Sequence, residues 1–135
     1  MKKLSWYKHE ADRLYSLLRR QTIGNPLLYC GLVKCCTCNK VGHWRDMDLG
    51  HFRSRTFLST RFEDKNTAVQ CKGCNKYKNG EPYLFGKYLD RVYGEGTADA
   101  MVELSRQTRK ISRVEYEGMI DKYKQELKDN GWLLK

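Results

Sequence analysis

Two C-x-x-C pairs constrain this chain more than any other feature: Cys35 with Cys38, and Cys71 with Cys74. Each pair forms a tight knuckle whose two sulfurs face one point, and two knuckles complete a tetrahedral shell around zinc. Pairing Cys36 with Cys38 would leave a one-residue spacer and a poorer knuckle, so Cys30 and Cys36 are not expected to be ligands. With all four positions taken by thiolate, the zinc has no open site and is expected to be structural. In a chain of 135 residues it would supply much of the folding energy. Free buried thiols are the competing reading. A disulfide framework is disfavoured because nothing in the sequence directs the chain out of a reducing compartment.

The pairs are separated by 32 residues, longer than the roughly 15 to 20 of an ordinary zinc ribbon. Something else is built between the knuckles, and charge indicates what it meets. Up to Gly80 there are sixteen basic and six acidic residues, and from Glu81 onward ten of each. The whole formal net charge of +10 therefore lies in the part that also holds every Cys and every His. Four thiolates with one Zn²⁺ add −2, so a basic balance survives. Such a local surplus suits a polyanion, most simply nucleic acid, against a plain solubility reading.

Size and pattern set the frame. One α+β domain over 1–135 is expected, with an N-terminal helical segment (1–30), a zinc-stapled core (31–80) and C-terminal helices (81–135). Apolar Trp6, Leu14, Leu17 and Leu18 among charges predict a helix from Ser5 to about Arg20, broken at Gly24-Asn25-Pro26. From Leu27 to about Phe62 the chain reads as short strands and turns with a small β-hairpin. Lys72 to Lys76 opens a short helix, and another follows Pro82 and ends at Gly94. Thr97 is expected to cap a helix through Met101 and Leu104. Ser112 and Glu115 have capping-box spacing before a last helix, striped by Tyr116, Ile120, Tyr123 and Leu127 and stopped at Asn130-Gly131. These C-terminal helices read as packing and dimer material. No run of about 18 apolar residues and no apolar leader is present, so a cytoplasmic protein with no membrane partner is expected.

The insert carries Asp48-Leu49-Gly50-His51-Phe52, then Arg61-Phe62-Glu63-Asp64-Lys65-Asn66, and runs into Gln70-Cys71-Lys72-Gly73-Cys74-Asn75. On these residues the sequence resembles the HNH nuclease superfamily. More closely it looks like the phage recombination endonuclease family NinG, also called Rap, whose members carry a C-x-x-C, D-x-G-H-[YF], R-F-x-x-x-N and Q-C-x-x-C-N in this order. The motifs run from about Cys35 to Gly94 and extend more weakly over the C-terminal helices; the first 30 or so residues lie outside them.

The resemblance implies a ββα-metal (treble-clef-like) core and a metal-dependent DNA endonuclease acting on branched recombination intermediates such as Holliday junctions or D-loops. If phage-encoded, it would work in the host bacterial cytoplasm. Hydrolysing a phosphodiester needs a base, a cation and positive groups to hold the strand. His51 is the candidate base, since imidazole titrates near neutral pH. Asn66 matches the loop Asn, as a catalytic-metal ligand or a brace for the His loop. Asn75 stands where many HNH enzymes have their last His. Amide oxygens suit Mg²⁺ or Mn²⁺. Many HNH enzymes place a metal ligand immediately before the catalytic His, but that position here is Gly50. Asp48, about 7 Å along an ideal strand, supplies the carboxylate only if the strand bends or bulges; a surface or hairpin Asp is the alternative.

Arg53, Arg55, Arg61, Lys65, Lys72, Lys76 and Lys78 surround these motifs and are candidate phosphate contacts. Trp44 and Phe52 either pack on the hairpin or meet a base. A homodimer fits a junction with strands to cut on symmetry-related arms. Two other readings compete: a zinc-knuckle module that binds nucleic acid without cutting, and a sequence-specific homing or restriction nuclease, which needs a larger recognition element.

Overall fold

The structure, a computed structural model, describes residues 1–24 and 30–135. The expected break at Asn25-Pro26 and the start of the strand-rich stretch at Leu27 lie outside the described residues. In chain order the elements are α1 (Leu4–Ile23), β1 (Leu32–Lys34), β2 (Val41–His43), β3 (Asp48–His51), α2 (Leu58–Arg61), β4 (Thr67–Gln70), α3 (Pro82–Tyr93), α4 (Thr97–Ser105) and α5 (Arg113–Asp129). The result is a small mixed α+β fold.

The strands form two antiparallel two-stranded sheets, β1 with β2 and β3 with β4. The first hairpin carries one cysteine knuckle in its turn, where the Cys35 N–H donates to the Lys40 carbonyl at 2.8 Å. The second sheet runs in regular register from Asp48 opposite Gln70 to His51 opposite Thr67. No bulge interrupts it, so the bend on which a role for Asp48 was made to depend is absent. Gly50 is needed for a different reason. A Cβ there would meet Gln70 Oε1 at 2.2 Å and the Phe85 ring at 3.1 Å.

Gln70 is fully buried and fixed, donating from Nε2 to Thr37 Oγ1 at 3.1 Å and to the Gly80 carbonyl at 2.8 Å. It ties the first knuckle to the loop that precedes α3. The helix expected to open at Lys72 is a single π-helical turn, Gly73–Tyr77. Pro82 at the start of α3 and Gly94 at its end fall where the sequence placed them.

The core lies mainly between the first and last helices. Leu14, Tyr15, Leu17 and Leu18 of α1 pack with Tyr116, Ile120, Tyr123 and Leu127 of α5, all buried. The α5 stripe is thus taken up within the chain, not displayed for a second copy. The Ser112 hydroxyl accepts from the Glu115 N–H at 3.2 Å, closing the expected capping box. Thr97 does not cap α4; Gly96, in the left-handed region, does. Beyond α5, Gln21 holds the tail through Leu133 N–H at 2.9 Å and the Leu133 carbonyl at 2.8 Å. A smaller cluster of Cys36, Ala68, Phe85 and Leu89 sits behind β4. No helix among the described residues is long and apolar enough to cross a membrane.

Candidate metal centre and adjoining cationic cavity

The sulfurs of Cys35, Cys38, Cys71 and Cys74 all lie within 4.8 Å of one another. A tetrahedral shell with Zn–S bonds of about 2.3 Å puts sulfurs about 3.8 Å apart, and Cys38 Sγ lies 3.7 Å from Cys71 Sγ. The four could hold a metal ion such as zinc. The cluster joins the β1–β2 turn to the end of β4, and the Cys36 N–H donates to the Val69 carbonyl at 3.0 Å beside it. Cys36 points into the small apolar cluster and Cys30 is exposed, so neither belongs to the set.

Next to the cluster, α1, β3 and the Gly73–Tyr77 turn enclose a cavity of about 560 Å³. Asp48, His51 and Asn75 line it together, with Arg20, Arg45, Arg55, Lys72 and Lys76 around them and Asp12 on the α1 side. Asp48 Oδ1 accepts from Lys72 Nζ at 2.8 Å and Oδ2 from Asn75 Nδ2 at 2.9 Å. Burial raises the Asp48 carboxyl, but those two hydrogen bonds and the charges of Lys72 and Lys76 outweigh it and hold it below the usual carboxylate range. A regular strand therefore suffices to bring Asp48 and His51 to one cavity.

His51 is partly buried, and its Nε2 lies 2.9 Å from the Arg61 backbone carbonyl. A carbonyl only accepts, so Nε2 carries the proton and Nδ1 keeps its lone pair. Nδ1 has no hydrogen-bond partner among the described residues. Burial lowers the imidazole to about 4, with the Arg61 carbonyl opposing and the Arg55 charge reinforcing the shift. His51 is accordingly neutral at pH 7, able to take a proton.

Asn66 is elsewhere. Fully buried, it accepts from the Arg53 N–H at 2.8 Å and donates to the Arg53 and Thr60 carbonyls, each at 3.0 Å. Both ends of its amide are used, so of the two expected roles it fills the brace of the segment after His51, not that of a metal ligand.

The seven basic candidates separate. Arg55, Lys72 and Lys76 line the cavity. Arg61 is buried and ion-paired with Asp12, which removes it as a phosphate contact. Arg53 donates to Ser105 Oγ at 2.9 Å and covers Phe57, while Lys65 lies 6.0 Å from the Tyr93 ring centre. Lys78 is exposed outside the cavity lining. Trp44 is 2% exposed, a packing residue unavailable to a base. Arg20 and Arg45 were missed. They flank the Trp44 ring at 5.4 and 5.1 Å; Arg20 is remote from the motifs in sequence, while Arg45, three positions before Asp48, was passed over.

A family model for the bacteriophage lambda NinG protein matches residues 1–131. The chain belongs to the NinG family. The NinG match includes α1, which the motifs alone did not reach. Protein ninG of Escherichia phage 933W and that of Enterobacteria phage VT2-Sa are each 25% identical over 125 residues, 92% of this chain and 57% of theirs. Protein ninG of Salmonella phage P22 is 24% identical over the same length. The chain thus spans little more than half the length of these NinG relatives. No solved structure matches it.

Proposed function

We propose that this chain is a metal-dependent DNA endonuclease of the HNH type, acting in phage recombination on branched DNA such as a Holliday junction or D-loop. One observation carries the reading: a neutral imidazole with a free Nδ1, a deprotonated carboxylate and an amide share one cavity edged by five cationic side chains. A binding module needs the cations but has no use for the other three together.

In this reading the cations hold the phosphate backbone across the cavity. His51 Nδ1 takes a proton from water as the water oxygen bonds to phosphorus. The bond from phosphorus to the leaving sugar oxygen breaks, and that oxygen is reprotonated from solvent. The oxygens of Asp48 and Asn75 are hard donors of the kind that hold Mg²⁺ or Mn²⁺. Such an ion would supply charge stabilisation on the phosphate. Zinc in the four-cysteine site would be structural, fixing β3 and the Asn75 turn relative to each other. Two cuts on a junction call for two copies, which would meet through surfaces other than the α5 stripe.

The test is cleavage of labelled four-way junction and matched linear duplex, with Mg²⁺ or EDTA, by wild type and His51→Ala. Junction cutting by wild type with Mg²⁺ alone is expected. Equal cutting of both substrates would discard the branched-DNA preference, and binding without cutting would leave a zinc-stabilised DNA-binding module.

A further inference from the structure

We infer that Asp12, on α1, is a positioning residue for His51, acting through Arg61. This rests on the reading of His51 as the base, and adds to it a role for a helix outside every motif between the knuckles.

The link is continuous. Asp12 Oδ1 accepts from Arg61 Nε at 2.9 Å, and Oδ2 accepts from the second guanidinium nitrogen on the same side. The remaining nitrogen of Arg61 donates to the Arg55 carbonyl at 2.7 Å. Arg61's own carbonyl then takes the His51 Nε2 proton at 2.9 Å. Both charged side chains are largely shielded, at 10% and 15% exposure.

Position explains why the anchor is needed. Arg61 ends α2, a helix of only four residues, Leu58–Arg61. One turn has little rigidity of its own, because it fixes several dihedrals for very few hydrogen bonds. Where the Arg61 carbonyl sits is therefore decided by side-chain anchors: the Asn66 amide on Thr60, and the planar guanidinium fork on Asp12. A fork held at two carboxylate oxygens and one carbonyl fixes direction as well as distance. That carbonyl in turn selects the His51 tautomer with Nδ1 unprotonated. The charged groups around His51 are Asp12, Arg55 and Arg61, so removing Asp12 also leaves two cations facing the ring.

The experiment compares wild type, Asp12→Asn and Asp12→Glu by imidazole ¹⁵N NMR at pH 7 and by junction cleavage. Wild-type His51 should be the Nε2–H tautomer with slow exchange of that proton. Asp12→Asn should mix the tautomers, speed exchange and lower kcat by on the order of tenfold to a hundredfold, as loss of alignment does, with KM for DNA within about twofold. Asp12→Glu should recover the tautomer and much of the rate. A folded Asp12→Asn with wild-type tautomer and rate overturns the inference. So does a loss that appears only as a higher Mg²⁺ requirement with the tautomer unchanged, which would make Asp12 a metal ligand. If Asp12→Asn does not fold, Arg61→Lys keeps the charge but loses the fork; an unchanged tautomer there overturns the inference equally. Because the NMR signal does not depend on turnover, a wild type that never cuts DNA while Asp12→Asn still mixes the tautomers would sink the nuclease reading but not the Asp12–Arg61–His51 link, so the two failures are told apart.

Discussion

Asp48 and Asn75 meet at 2.9 Å although 27 positions separate them along the chain. The contact is made because Asp48 begins β3 while Asn75 follows the last two cysteines, and the four-cysteine cluster and the β3–β4 pairing close the distance from both sides.

His51→Ala should lower cleavage by on the order of a hundredfold or more while zinc content and DNA binding stay at wild-type values. Loss of binding together with activity would show the ring to be a packing element instead.

The pH dependence has a definite sign. In the unfolded chain His51 protonates near 6.5, whereas in the folded chain its pKa is lowered to about 4. Between these values the unfolded state binds more protons, so His51 contributes stability above about pH 6.5 that is lost as pH falls toward 4. The cleavage rate should show no acidic limb near 6.5. Denaturant melts and pH–rate profiles of wild type and His51→Gln measure both effects.

Metal removal should separate the cysteines into two groups. Cys35→Ser or Cys74→Ser should lose zinc and cooperative unfolding, while Cys30→Ser and Cys36→Ser should keep one zinc per chain by elemental analysis. Cys36→Ser should cost about 1–3 kcal/mol by burying a hydroxyl in the apolar cluster.

Asn66→Asp distinguishes brace from ligand. A metal site would tolerate or gain from the carboxylate, but a brace loses its two donated hydrogen bonds to Arg53 and Thr60. The variant should be destabilised by about 1–3 kcal/mol or more, with no gain in Mg²⁺ affinity by titration calorimetry.

Gly50→Ala should destabilise by about 1–3 kcal/mol through overpacking, because the Gln70 amide it would strike is fixed at both Thr37 and Gly80. A thermal melt at the wild-type midpoint would show that Gln70 can move aside.

The clustering of the four cysteines, α3, the α5 stripe and its capping box were legible because each is a local spacing rule with one geometric solution. A bend at Gly50 was the condition set for Asp48 to reach the site, and it is not needed; a sequence shows the glycine but not the Gln70 side chain that takes the space. Arg61 was read as a phosphate contact and Asn66 was left between ligand and brace, since residue type announces a hydrogen-bonding group without its partner; Asp12 lies 49 positions from Arg61. Strand β4 escaped notice because its four residues, Thr67–Gln70, are all buried and so show no alternation.

The pairing of α1 with α5 has a consequence for synthesis. As the chain leaves the ribosome, α1 emerges first with Leu14, Leu17 and Leu18 uncovered, and its partner stripe is nearly the last part made. The four clustered cysteines and the cavity residues Asp48, His51 and Asn75 are translated in between. An ion in the four-cysteine cluster would therefore bind before the ends of the molecule close, and a nascent chain stopped short of Tyr116 would carry Asp48, His51 and Asn75 on a scaffold whose α1 is still uncovered.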